Sequence, residues 1–207
     1  MMGPMIGEKF VLLGALLNLL GTLSYIRDTI KGTTKPNRVS WFLWTLAPML
    51  AFSAELKEGV GLRSLMTFMA GFMPLLVFLA SFVNKKSFWK IERLDVVCGF
   101  LSLVGLILWL ITKHGFFAIS FAIMADALAA VPTLLKSFKD PESESYLAFA
   151  GGGISAFITL LTIKNWTYAN YGFPIYILLI CLSFVLLIRF RIGVRIAQAY
   201  GRSPVKA

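Results

Sequence analysis

An all-α membrane protein with seven transmembrane helices is the fold class this sequence predicts, and three observations predict it. Of the 207 residues, 58% are hydrophobic and only 14% are charged, with a mean hydropathy of +0.79; soluble domains carry about 25% charged residues. Apolar runs that meet the roughly 20 residues needed to cross a hydrocarbon core recur seven times along the chain. Strict apolar/polar alternation, the pattern of a membrane β-barrel, is absent, so the backbone groups of each span are to be satisfied inside helices.

In chain order the expected spans run near 10–26, 38–54, 64–83, 94–112, 115–134, 145–163 and 171–190. The opening MMGPMIGEKF lacks the basic region and small-residue cleavage site of a signal peptide, so the first run is read as a retained span. The connections are short and leave no room for a soluble domain between spans. Cys98 and Cys181 both fall inside apolar runs and read as buried thiols, since two cysteines build neither a disulfide framework nor a zinc site.

The formal net charge is +10. Seven spans put the N-terminus and the second, fourth and sixth connections on one side, with five Lys and Arg residues, and the rest of the connections and the tail on the other, with fifteen. Basic residues near span ends are retained in the cytoplasm, so the expected topology is N-terminus outside and C-terminus inside, compatible with a bacterial inner membrane. The positive charge is thus a topology signal in a chain whose partner is the lipid bilayer, and no nucleic-acid partner is expected.

The chain also resembles itself. A shift of 105 places Lys31 on Lys136, Pro36 on Pro141, Ser40 on Ser145 and Trp41 on Tyr146, and a shift near 100 places Gly71-Phe72 and Pro74 on Gly172-Phe173-Pro174. Four spans separate the two starts, so both units face the same way. The expected organisation is a three-helix unit over residues 1–90, a linker helix over 91–114, and a second three-helix unit with a basic tail over 115–207; solute sites in parallel repeats lie near the midplane between them.

Pro132-Thr133, followed by Lys136 and by Ser145 at the next span, carries a family resemblance: the sequence resembles the PQ-loop proteins and, within them, the SWEET and SemiSWEET transporters. The resemblance covers nearly the whole chain in topology and two short segments in motif. The first unit keeps Ile30, Lys31 and Val39-Ser40 but carries Arg27-Asp28 where the family has its proline dipeptide. It implies a transporter of sugar or another small polar solute, working by alternating access without a cofactor. It also implies a solute-binding asparagine on the third helix of each unit: Asn170 corresponds in the second, while Met69 or Ala70 stands at that place in the first. A non-transporting membrane receptor or assembly factor is the other activity that the resemblance leaves open, as it does homo-oligomerisation.

The residues themselves supply candidates. Asp126 is the one ionisable acid or base near the middle of a span; an Asp there costs about 2.5–3.5 kcal/mol on insertion scales, which makes a functional role the default. Ala122, Ala129, Ala130 and Thr133 share its helical face, so it lies on a mostly small surface, fit to accept hydrogen bonds from a solute, to exchange a proton, or only to join two helices. Asn18 shares a stripe with Gly14, Gly21 and Tyr25, which suits close packing and solute contact alike. Trp41 and Trp44 lie on one face of the second span; both read as interfacial anchors, with Trp44 one turn deeper and able to stack on a flat ligand. Pro48, Pro132 and the Gly152-Gly153 pair are candidate bending points, because proline removes a helical donor and glycine weakens a helix by roughly 1 kcal/mol. His114 stands at a span end, where it is expected to face solvent. No nucleophile with a nearby base and no phosphate loop is written in the chain, so an enzyme is not expected.

Overall fold

The computed structural model describes residues 4–57, 60–87, 89–112 and 115–200. His114, Lys113, Arg202 and Lys206, and the side chain of Lys57, lie outside what is described. Among the described residues the chain folds into eight α-helices: α1 (Phe10–Lys31), α2 (Arg38–Lys57), α3 (Ser64–Ala80), α4 (Arg93–Ile111), α5 (Gly115–Lys139), α6 (Tyr146–Leu161), α7 (Tyr168–Arg189) and α8 (Ile192–Ala199). Short 3-10 turns, Gly61–Arg63 and Pro141–Ser143, precede α3 and α6.

Five of these helices are long and apolar enough to cross a membrane: α1, α3 with its preceding turn, α4, α5 and α7. Helix α6 is apolar but has 16 residues, and α2, with Arg38, Glu55 and Lys57 near its ends, is less apolar than the five. The outward faces suit lipid. On α4, Val96, Phe100, Ile107 and Ile111 are all more than half exposed, and Leu12, Leu16 and Leu20 of α1 likewise. The opposite face of α1 buries Asn18, Thr22 and Thr29. Polar groups inside and aliphatic groups outside is the arrangement that a hydrocarbon solvent favours, because only the interior offers hydrogen-bond partners.

Local chemistry sets the helix ends. Gly32, at φ 86°, closes α1 with its N–H on the Asp28 and Thr29 carbonyls, a left-handed stop that a residue with a Cβ takes only with strain. Asn37 starts α2: its Oδ1 accepts from the N–H groups of Val39 (3.1 Å) and Ser40 (3.3 Å). Its Nδ2 donates to Asp95 Oδ1 (2.8 Å), while Asp95 Oδ2 accepts from the Glu92 N–H (2.6 Å) in the capping box that opens α4. One buried acid therefore fixes the starts of two helices together.

Packing follows a regular scheme. Helix α1 lies on α6 and on α3, α2 on α3 and on α5, α7 on α5 and on α6, and α4 flanks α5 and α2. The α1–α6 contact is a backbone approach. A Cβ on Gly151 would stand 2.7 Å from the Leu17 carbonyl oxygen and 3.0 Å from Asn18 Cα, and one on Gly21 would overlap the Leu147 carbonyl. Only glycine admits that distance, and it carries Asn18 against α6. The segment expected as a basic tail contains a further helix, α8. It follows Arg191, at φ 50°, and seats Gly193 against the Phe138 carbonyl of α5.

Candidate functional site

Helices α1, α2, α3, α5, α6 and α7 meet around a cavity of about 90 Å³. Taking roughly 10–15 Å³ of such volume per water, it has room for about six to nine water-sized groups. Its polar atoms are few. Asn18 and Thr22 come from α1, Asp126 from α5 and Ser155 from α6. Met66, Met69 and Met73, spaced three and four apart on α3, line the cavity, as do the rings of Trp41, Trp44, Phe149 and Phe184, which cluster together.

Asp126 is 5% exposed. Tyr176 of α7 donates its hydroxyl to Oδ2 at 2.7 Å, and Trp44 Nε1 donates to the Asp126 backbone carbonyl at 3.3 Å. Oδ1 accepts from no protein group among the described residues. Asn18 Oδ1 accepts a long bond from Thr22 (3.5 Å), leaving its NH₂ without a protein acceptor among them, and the buried Ser155 hydroxyl has no partner. A carboxylate oxygen and an amide donor on residues that line one space therefore have bonding capacity to spare, and the occluded Ser155 hydroxyl lies unpaired on another lining residue.

Of the residues singled out from sequence, Asn18, Trp44, Asp126 and Gly152 come together here. Asn170 does not line this cavity: it sits in the first turn of α7, where its Nδ2 donates to the Asn165 carbonyl (2.9 Å) and Thr167 Oγ1 (3.1 Å). Pro48 and Pro132 are buried within helices that continue past them. Gly152 and Gly153 face Cys181, with Cβ positions 3.3 Å from its Sγ and 3.2 Å from its Cβ, so both give α7 a close seat on α6. Trp41 and Trp44 are not interfacial anchors. They are 4% and 7% exposed, with ring centroids 5.2 Å apart, and Trp41 lies 4.9 Å from Tyr25. Position along a span gives a tryptophan's depth; which side of the helix faces the bundle was not in the spacing. Trp166, in the α6–α7 connection, is 54% exposed, and Trp89 and Trp109 are partly exposed.

A second buried polar group centres on Lys136, one of the basic residues expected on the cytoplasmic side. Lys136 Nζ meets Glu144 Oε1 at 2.5 Å, with the two side chains 1% and 0% exposed. Tyr25 donates to Glu144 Oε2 at 2.6 Å, Lys136 donates also to the Lys35 carbonyl, and Nζ stands 5.2 Å from the Trp89 ring centroid. The α1–α2, α3–α4 and α5–α6 connections are thereby tied together at one end of the bundle. Its one signal in the sequence was an acid eight residues beyond a basic residue at the end of an apolar helix.

Comparison with protein-family models, with curated proteins and with solved structures finds no match. The site is read from its own chemistry.

Proposed function

We propose that this chain is a membrane transporter that carries a small solute with a polar head through the central cavity by alternating access. Two three-helix units, α1–α3 and α5–α7, with α4 as linker, would rock about it. The observation that carries the reading is the cavity itself: it lies where all six helices of the two units meet, and it holds the under-bonded Asp126. The packing supports the same division. Exchanging α1, α2 and α3 for α5, α6 and α7 turns the α1–α6 contact into α5–α2, α1–α3 into α5–α7, and α2–α3 into α6–α7, all of which occur. This is what a parallel repeat requires, and it agrees with the PQ-loop and SWEET resemblance.

Alternating access needs a closed end. The Lys136–Glu144–Tyr25 group supplies one, on the side where the basic residues place the cytoplasm. Opening to that side would part Glu144 from Lys136 or Tyr25, with Pro48, Pro132, Gly152 and Gly153 as candidate bending points. An N-terminus outside, a C-terminus inside and a bacterial inner membrane complete the reading.

Uptake by proteoliposomes tests it, with sugars, amino acids and organic amines offered to the wild type and to Asp126→Asn. The expected result is accumulation of one class by the wild type and its loss in the variant. Silence of both toward every class, with a partner protein co-purifying, would replace the transporter by a receptor or assembly factor.

A further inference from the structure

The cavity wall says more about its occupant than that it is small. Three features bear on the ligand's chemistry: charge, hydrogen-bonding capacity and surface.

Among the described residues, Asp126 is the one carboxylate on the wall, and no Lys, Arg or His side chain lines it. An anion, or the carboxylate of a zwitterion, would be buried beside a like charge with no cation to balance it. A cation finds the opposite. With Tyr176 on Oδ2, Oδ1 remains to accept a charge-assisted hydrogen bond. Asn18, whose carbonyl oxygen carries only one long bond from Thr22, is a further acceptor on the lining.

A sugar is disfavoured by count. Each of its hydroxyls needs a donor or acceptor once it leaves water, and each one left unbonded costs about 1–3 kcal/mol. The side chains able to serve are Asn18, Thr22, Asp126 and Ser155, plus the Trp41 N–H, in a cavity otherwise walled by methionines, aliphatic groups and aromatic rings. Those remaining walls suit an apolar or aromatic body: thioethers and ring faces accept flat apolar surface, and tryptophan rings attract an organic cation. Trp44 links the two features, since its ring lies in the aromatic group while its Nε1 holds the Asp126 carbonyl.

We infer that the cavity binds a small organic ammonium ion with an apolar or aromatic body, its nitrogen on Asp126 Oδ1 and its body between the α3 methionines and the Trp41–Trp44 rings. The assignment rests on the transporter reading only for the passage of this ion across the membrane; binding is a separate property and is measured separately.

The test uses the full-length chain in detergent with 2-phenylethylammonium as probe, and 2-phenylethanol, phenylalanine and glucose as comparators, read by tryptophan fluorescence and by the shift in melting temperature. The ammonium is expected to bind and to raise the melting temperature. The neutral alcohol, which keeps the ring and loses the charge, should bind at least ~10-fold more weakly, the worth of a charge-assisted hydrogen bond, and so should phenylalanine. Glucose should shift nothing. Asp126→Asn, which can still accept from Tyr176, should weaken the ammonium by at least ~10-fold. Equal binding of alcohol and ammonium would overturn the assignment, as would preference for glucose or phenylalanine, or no binding by the ammonium. The alcohol comparison needs no variant, so it stands even where Asp126→Asn is poorly folded. Ammonium binding without uptake into proteoliposomes would sink the transporter and keep the ligand class; uptake of a sugar alone would do the reverse.

Discussion

Asp126 and Glu144 are each 5% exposed, and there the likeness ends. Glu144 is saturated, with Lys136 on one oxygen and Tyr25 on the other, and does not line the central cavity. Asp126 has Tyr176 on one oxygen, a free second oxygen and an open space in front of it. Burial therefore does not tell the two acids apart; the bonding capacity left over does. The first acid ties connections together at one end of the bundle, whereas the second lines the cavity with acceptor capacity that no described protein group uses.

The contrast breaks most visibly at the saturated acid. Lys136→Met leaves Glu144 buried without its cation, and is expected to lower stability by about 3–5 kcal/mol. The pair Lys136→Met with Glu144→Gln, which keeps an acceptor for Tyr25, should recover most of that loss. Denaturation in detergent checks both, and a single variant as stable as the wild type would show the ion pair to be idle. At the open acid, Tyr176→Phe removes one charge-assisted hydrogen bond. A smaller loss is expected, about 1.5–3 kcal/mol, together with weaker ammonium binding as the carboxylate loses its fixed orientation. Unchanged binding would mean that Tyr176 does not orient the acid.

Gly151→Ala sharpens the comparison at the α1–α6 seam that carries Asn18. Its Cβ would stand 2.7 Å from the Leu17 carbonyl, so an overpacking cost of about 1–3 kcal/mol is expected, read as a lower melting temperature. A neutral effect would mean that the seam is looser than the backbone approach implies. Ser155→Ala has the smallest expected effect on stability, within about 0.5 kcal/mol, because its hydroxyl has no partner among the described residues. A large loss of stability would show that the hydroxyl has a structural partner after all.

How much of this was legible depended on whether the information was local. The expected starts of the spans lie within three residues of the observed helix starts, because a hydrophobic run and its flanking charges are local quantities. Asp126 stood out because an acid in the middle of an apolar run is conspicuous wherever its helix goes. The inward turn of Trp41 did not, since lipid and protein interior are both apolar and periodicity cannot tell them apart. Glu144 lies in a polar connection, and its burial arises from α1, the α1–α2 connection and the end of α5 closing over it; apart from the basic residue eight positions before it, nothing nearby announces that. Asn170 looked like a pocket residue through the family resemblance, but its position at the start of α7 uses its amide on the preceding turn. Helix α8 was hidden by its length, eight residues behind a basic junction.

Alternating access has a direct test in the protein's own thiols. The chain has two cysteines, and of these Cys181 lines the cavity while Cys98 lies on α4, away from it. In Cys98→Ser, a membrane-impermeant thiol reagent applied to oriented proteoliposomes from each side in turn reads which face the cavity opens to. Alternating access predicts that Cys181 is labelled from either side and that 2-phenylethylammonium slows both reactions. Labelling from one side only, or steady ion current with labelling from both, would contradict it.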